Sequence, residues 1–272
     1  MSQPVASKPA LPLLRRYDGW ALVTGASDGL GQEIARHLAG QGFNLVLVAR
    51  RENLLSQLDE ELCRRHGIEC RVIAADLATD QGRAAVIGKT TDLDIGLLVA
   101  AAGFGSSGDL LDCSLESELT MLRVNCEAPL VLAHHFGRLM RNRERSAIVL
   151  IGSIVAFQGI SGSANYAGTK AYIQSLGEAL RIELKGHGVD VLVTAPGPIN
   201  TGFGARAGMD LSSGSTAQQV AAATLSRLPH SGTTFPGFRS KLLGYGTRFL
   251  PRWLRTRVIS SAVRGMSQSV VR

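Results

Sequence analysis

WALVTGASDGLGQEIARHLAGQGFNLVLVAR, running from Trp20 to Arg50, carries the pattern on which the fold reading rests. Its opening, WALVT (Trp20 to Thr24), is an apolar run of strand length and character. TGASDGLG (Thr24 to Gly31) follows, with its glycines in a GxxxGxG spacing. Gly25 permits a tight turn, Gly29 lets the backbone approach a ligand's phosphates, and Gly31 lets the next helix pack close. The spacing predicts a helix from about Gly29 to Gln41, with Ile34 and Leu38 on one face; its N-terminus offers unpaired N–H groups to an anion. Taken alone, the same residues also describe a plain glycine-rich turn. FNLVLVA (Phe43 to Ala49) is then a near-continuous apolar run, the mark of a strand covered on both faces.

Moving outward, the alternation continues. Strands are predicted at RVIAA (Arg71 to Ala75), IGLLVAAA (Ile95 to Ala102), AIVLIGS (Ala147 to Ser153) and VDVLVTA (Val189 to Ala195), with TTFPG (Thr233 to Gly237) as a seventh at the edge. Helical patterns lie between them, at Glu52 to His66 and, at greater length, at Ser117 to Met140 and Ala164 to Lys185. Such alternation predicts an α/β protein built on a single doubly wound parallel sheet of about seven strands, with right-handed crossovers and helices on both faces. One domain over 20–237 is expected, flanked by an N-terminal extension (1–19) and a basic, helical C-terminal extension (238–272).

Composition narrows the function classes. With 272 residues, 45% of them hydrophobic, the chain is globular rather than fibrous or disordered. Cys63, Cys70, Cys113 and Cys126 form no CxxC pair and have no His at ligand spacing, so reduced, mostly buried thiols and no metal site are expected. No apolar run reaches the roughly 20 residues of a membrane span, and the cytoplasm is the default address. The net charge of +7 is uneven. After Asp210 there is no acidic residue and there are nine cations, whereas residues 1–210 carry a net −2. The basic balance belongs to the tail, which argues against a nucleic-acid-binding body.

In such sheets ligands bind at the carboxyl ends of the strands, where the informative residues fall. The second strand ends at Arg50-Arg51, where an NAD site would want a carboxylate for the ribose 2′-hydroxyl; a cation suits the 2′-phosphate of NADP, or else simply starts a solvated helix. Asp76, after the third strand, stands beside an adenine position or serves as an N-cap. Ser153 closes the fifth strand. Tyr166 and Lys170 follow in a helix as YAGTK, one turn apart and on one face. A free tyrosine has a pKa near 10; a neighbouring ammonium is expected to lower it, letting Tyr166 exchange a proton with a carbonyl oxygen that Ser153 holds. A Tyr-x-x-x-Lys pair by itself is commonly a surface feature, and its position beside a buried strand gives it weight.

Over about Trp20 to Phe203 the sequence resembles the short-chain dehydrogenase/reductase family. TGASDGLG, Asp76, Asn125, Ser153, Tyr166-x-x-x-Lys170 and PGPINT (Pro196 to Thr201) stand in that family's order and spacing. The resemblance implies Tyr166 as acid/base, Lys170 as its partner and holder of the nicotinamide ribose, Ser153 as the carbonyl-positioning hydroxyl, and Asn125 as a link from Lys170 to solvent through water. It implies a cofactor set of Gly25, Ser27, Asp28, Gly29, Leu30, Gly31, Arg50, Asp76, Leu77, Ala102, Gly103, Pro196, Gly197, Ile199 and Thr201, with Tyr166 and Lys170. The cofactor expected is NADP(H), with NAD(H) as the second choice. The substrate expected is a small carbonyl or alcohol, apolar in character. The glycine turn with Asp28 and the GFNLVLVAR strand look most like the 17β-hydroxysteroid dehydrogenase and 3-oxoacyl reductase-like branch. A homodimer or homotetramer is implied, paired through the helix that carries Ala167, Ala171, Leu176 and Ala179. In place of the family's Asn-Asn-Ala-Gly this chain has AAAG (Ala100 to Gly103), so bonds between strands are expected to be missing there and cofactor binding weakened. Two other readings stand beside the reductase: an NADP(H)-binding redox sensor without turnover, favoured by that change, and an epimerase or dehydratase of the related extended family, which normally has a larger C-terminal substrate domain.

Two variable segments complete the reading. GFGARAGMDLSSGS (Gly202 to Ser215) is expected to form a lid. Ile154, Val155, Ala156 and Phe157 are expected either to wall an apolar pocket or to pack in the core. In the tail, Trp253, Leu254, Val258 and Ala262 share one side of a helix after Pro251. That helix packs on its own body, covers the substrate pocket or a partner's groove, or lies on an anionic membrane with its arginines toward lipid.

Overall fold

Leucine and β-branched residues alternate between two cores along every central strand, which is why the apolar runs are nearly unbroken. The computed structural model describes residues 12–228, 230–246 and 250–268. Its main sheet contains β1 (Trp20–Thr24), β2 (Asn44–Ala49), β3 (Cys70–Ala74), β4 (Ile95–Ala100), β5 (Ser146–Ile151), β6 (Val189–Thr194) and a short edge strand, Thr233–Thr234. All pairings are parallel, in the order β3-β2-β1-β4-β5-β6-edge. Ala21 and Val23 of β1, with Leu45 and Leu47 of β2, face one core together with Ile34, Leu38 and Leu58. Leu22, Val46 and Val48 face the other, with Leu132, Phe136 and Ile173. Strands β1 and β2 are thus covered on both sides, as the alternation requires.

The helices α1 (Pro12–Arg16), α2 (Gly29–Gly40), α3 (Glu52–His66) and α4 (Asp80–Gly88) come first. Segment α1 belongs to the fold: Leu13 and Tyr17 are buried, and the Tyr17 hydroxyl donates to Asp190 Oδ2 on β6 at 2.8 Å, beside Arg16 at 3.0 Å. The long helix expected at Ser117 to Met140 begins earlier and is interrupted. It consists of α5 (Leu115–Leu122), a π turn (Arg123–Glu127) and α6 (Ala128–Met140). Then come α7 (Ala164–Leu184), α8 (Gly202–Ala207), α9 (Ala217–Leu225), α10 (Phe238–Gly246) and α11 (Arg252–Gln268). A small parallel pair, β7 (Ile199–Asn200) with β8 (Ser215–Thr216), ties the ends of the glycine-rich segment together, and the edge strand Thr233–Thr234 is β9. The strand order reverses between β1 and β4, and the cleft opens at their carboxyl ends.

Candidate active site

The glycine turn is dictated by space. Gly25 has φ +68°, and a Cβ there would lie 2.9 Å from the Ala102 backbone; a Cβ on Gly31 would lie 2.5 Å from the Gly25 carbonyl. Asp28 occupies the N-cap of α2 in extended conformation, yet its side chain makes no capping bond. The first amides of α2 are therefore left toward the cleft, where they suit a phosphate. A cavity of about 420 Å³ runs from this turn to α7. Its wall includes Gly25, Ser27, Asp28, Gly29, Leu30, Gly31, Arg50, Asp76, Leu77, Ala102, Gly103, Ser153, Tyr166, Lys170, Pro196, Gly197, Ile199 and Thr201, which together are the sequence-derived set except Asn125. A dinucleotide fits this donor set: uncapped helix amides, backbone approach at glycines, and cations at the far end.

At that end the residue tied to the turn is Arg51, not Arg50. Arg51 Nη2 donates to Ser27 Oγ at 3.2 Å and lies 3.5 Å from Asp28 Oδ2, while Arg206 of α8 reaches the same carboxylate at 3.6 Å. Asp76 is not the N-cap of α4. Its Oδ1 accepts from the Ala78 amide at 3.0 Å, and Thr79 caps α4 by accepting from the Gly82 amide.

The AAAG run is also not left unbonded. Thr24 Oγ1, at the end of β1, accepts from both the Ala101 and Ala102 amides at 3.0 Å. One hydroxyl thus bridges β1 to the continuation of β4 through backbone amides, while the alanines supply no side-chain amide of their own.

Asn125 sits inside the π turn, buried to 1% exposure behind the cavity wall. The extra residue in that turn swings it inward, a use π turns often serve at functional sites. Its Nδ2 donates to the Phe104 carbonyl at 2.9 Å and to Thr169 Oγ1 at 3.1 Å, while its Oδ1 accepts from the Phe104 amide at 3.1 Å. In this arrangement Asn125 clamps the β4 loop to α7.

Ser153, Tyr166 and Lys170 converge. All three line the same cavity; Ser153 Oγ accepts from the Val155 amide at 3.3 Å, and its hydroxyl favours the ionised form of the Tyr166 phenol. Lys170 Nζ donates to the Ile151 carbonyl at 2.8 Å and lies 5.6 Å from the Tyr166 ring centre. The expected lowering of the phenol's pKa is not found. Burial pushes Tyr166 up to about 12, against the pull of the Ser153 hydrogen bond, and burial pushes Lys170 down to about 8. Desolvation disfavours both charged forms and outweighs what opposes it, Ser153 at the phenol and Cys126 at the ammonium.

The substrate side is apolar. Phe203 of α8 packs on Tyr166 with ring centres 5.6 Å apart, and Phe104, Ile154, Val155, Met209, Leu211 and Ile259 complete the wall. Ile154 and Val155 therefore line the pocket, whereas Ala156 is buried outside it and Phe157 packs on Phe235. The tail helix is oriented differently from the expected stripe. Ile259 and Ser260 face the body, while Trp253 and Val258 are 61% and 45% exposed; the Ala262 side chain lies outside the described residues. Of the alternatives for this helix, packing on its own body is what Ile259 and Ser260 make, and Ile259 also lines the cavity. All four cysteines are partly rather than fully buried. The fold also brings the thiols of Cys63 and Cys70 and a carboxylate oxygen of Asp59 within 4.8 Å of one another, a potential ligand cluster the sequence spacing did not show. In it the Cys63 thiol donates to Asp59 at 3.0 Å.

Replacing Thr24 with Val would leave the Ala102 amide without its acceptor and the Ala101 amide with only the Val99 carbonyl at 3.1 Å, at a cost of about 1–3 kcal/mol for the unpaired group. Urea denaturation should show that loss and NADPH titration a weaker affinity, while Thr24→Ser retains both. A valine variant as stable as the parent would refute the bridging role.

Comparison with known proteins agrees with this geometry. A family model for short chain dehydrogenase matches residues 19–211. The chain is 31% identical over 185 residues to a 7beta-hydroxysteroid dehydrogenase of Collinsella aerofaciens, covering 68% of this chain and 70% of that one. It is 35% identical over 188 residues to a very-long-chain 3-oxoacyl-CoA reductase of Podospora anserina, covering 66% of this chain and 55% of that one. A solved 7beta-hydroxysteroid dehydrogenase superposes with a TM-score of 0.83 at 25% identity, over 92% of this chain and 99% of that one. A short-chain dehydrogenase from Sphingobium yanoikuyae in complex with NADPH gives 0.76 at 29% identity, over 90% and 93%. The chain belongs to the short-chain dehydrogenase family and is a nicotinamide-dependent oxidoreductase.

Proposed function

We propose that this protein uses NADPH to reduce a bulky, apolar ketone or aldehyde to the alcohol, with Ser153, Tyr166 and Lys170 managing the proton. The observation that carries the reading is the convergence of those three groups at the apolar end of a cavity whose other end holds Ser27, Arg50 and Arg51. The apolar wall of Phe104, Phe203, Met209, Leu211 and Ile259 supports the substrate class, as do relatives named for steroids and long acyl chains.

Bound NADPH supplies a hydride to the carbonyl carbon. The rest falls to the chain. Ser153 and Tyr166 donate hydrogen bonds to the carbonyl oxygen, and Tyr166 gives up its proton as negative charge grows there. A phenol held up near 12 stays protonated and ready to donate in the reducing direction. The Lys170 ammonium stabilises the phenolate left behind, and Asn125 keeps the β4 loop and α7 in register beneath it.

Turnover should be lost in Tyr166→Phe while NADPH binding, read by fluorescence titration, persists; retained NADPH oxidation would sink the mechanism. Because burial lowers Lys170 to about 8, the ammonium is present below that pH and lost above it. Reduction should therefore fall on the alkaline side of about pH 8 in a pH–rate profile, and a rate unchanged through that range would remove the ammonium from the step.

Arg51 is assigned to the 2′-phosphate, with Ser27 beside it and Arg50 adjacent. Arg51→Glu should raise the KM for NADPH by one to two orders of magnitude, about 1.4–2.8 kcal/mol, and spare NADH. Equal effects on both cofactors would remove the assignment.

The outer surface of α5 to α7 supports the implied homo-oligomer. Leu115, Leu119, Leu122, Leu130 and Tyr172 are exposed there, beside the small residues Ala171 and Ala179. Sedimentation equilibrium should give a dimeric or tetrameric mass, and a monomer at micromolar concentration would exclude it.

A further inference from the structure

The helix α11 has two faces with different chemistry. Its inner face belongs to the cavity: Ile259, 5% exposed, packs with Val155, Ile160 and Ala167, and the Ser260 hydroxyl accepts from the Ser161 amide at 2.9 Å. Both contacts are made on the segment that joins Ser153 to the helix of Tyr166. Its outer surface consists of Arg257, Val258 and Ser261, together with Arg252 and Trp253, which stand two turns before Ile259 and Ser260; all five are exposed, and the Arg257 guanidinium is 5.5 Å from the Trp253 ring centre. On α10, Lys241 and Leu242 are exposed as well. Nothing acidic follows Asp210 in the sequence, so the nine cations of this region have no carboxylate of their own segment to neutralise them.

From this we propose that the outer face of α11 docks on an anionic lipid surface, so that the cavity walled by its inner face takes its apolar substrate from the lipid. The second part rests on the reductase reading above; the first does not. An indole suits the boundary between headgroups and acyl chains, and interleaved arginines pair with lipid phosphates. The docking is peripheral, since no helix among the described residues is long and apolar enough to cross a membrane. A nucleic acid is the poorer partner. An extended polyanion would also meet the body, whose residues 1–210 carry a net −2, and would leave Trp253 and Val258 in water.

The full chain should pellet with vesicles containing phosphatidylglycerol and stay in solution with phosphatidylcholine alone, and added salt should release it. Each cation near the surface is worth about a fivefold change in binding, so Arg252→Glu with Arg257→Glu should weaken it about 25-fold or more. Trp253→Ser should weaken it further. These side chains lie outside the cavity wall, so NADPH oxidation with a water-soluble ketone should be unchanged in the variants, which also shows that they are folded. With an apolar ketone dissolved in anionic vesicles, the double variant should show a raised KM. The docking is overturned if the parent stays in the supernatant with phosphatidylglycerol vesicles at low salt, or if the double variant pellets as the parent does. Delivery from lipid is overturned if docking is lost and the KM for the vesicle-borne ketone does not move. Sedimentation needs no turnover, so a failure of docking and a failure of the reductase reading give different results.

Discussion

A parallel sheet buried on both faces leaves polar chemistry essentially one place to gather, the carboxyl edge of its strands. In β1 and β2 successive residues serve opposite cores, Ala21 and Val23 against Leu22, Leu45 and Leu47 against Val46 and Val48, so no side of either strand can hold a solvated group. Reversal of strand order between β1 and β4 then parts the loops above them and makes the cleft. Thr24 stands at that boundary. It is almost fully buried, and its hydroxyl serves two amides of the neighbouring strand's continuation. The last residue of an apolar strand thereby sets the floor on which the cofactor loops rest.

The same burial shapes the acid–base pair. An ammonium held by one backbone carbonyl and an aromatic face is poorly solvated, and a phenol under Phe203 is no better placed to ionise. Each group alone is pushed toward neutrality. On the reading proposed above, that state favours proton donation: the phenol would keep its proton until charge develops on a substrate oxygen, and the ammonium beside it would then gain an anion to stabilise. The π turn contributes without touching the reacting atoms, because Asn125 spends both ends of its amide on the Phe104 backbone and Thr169.

Local pattern is the part of this molecule that can be read directly from its sequence. The alternation of apolar runs with helical segments specified the sheet, and GxxxGxG and Tyr166-x-x-x-Lys170 specified loops and faces, because their geometry is fixed within a few residues. Features that depend on contacts distant in sequence were not legible. Thr24 meets Ala101 and Ala102 across 77 and 78 positions, and no local signal links them. Choosing Arg51 over Arg50 needs the direction of one side chain at a strand end. The π turn is invisible to a periodicity that assumes a regular helix. For α11 the hydrophobic pattern misled: Trp253 and Val258 suggested the buried stripe, yet the groove left by Val155, Ile160 and Ala167 accepts Ile259. Cys63 and Cys70 meet across the turn from α3 to β3, a proximity that ligand-spacing rules do not cover.

The cleft therefore has a fixed end and an adjustable end. Glycines that cannot accept a side chain, and amides bonded to Thr24, hold the glycine-turn end. The opposite wall comes from α8 and α11, which are attached by fewer and softer contacts. Arg206 reaches Asp28 through a half-exposed ion pair at 3.6 Å, a class of contact worth little on its own. Ile259 lies beyond residues 19–211, the span matched to the family. Yet Phe203 rests directly on the Tyr166 ring, and Ser260 is bonded to the loop that leads to it. Whatever displaces either helix is felt at the phenol, so the parts of the chain that decide which substrate enters also bear on how its proton is delivered.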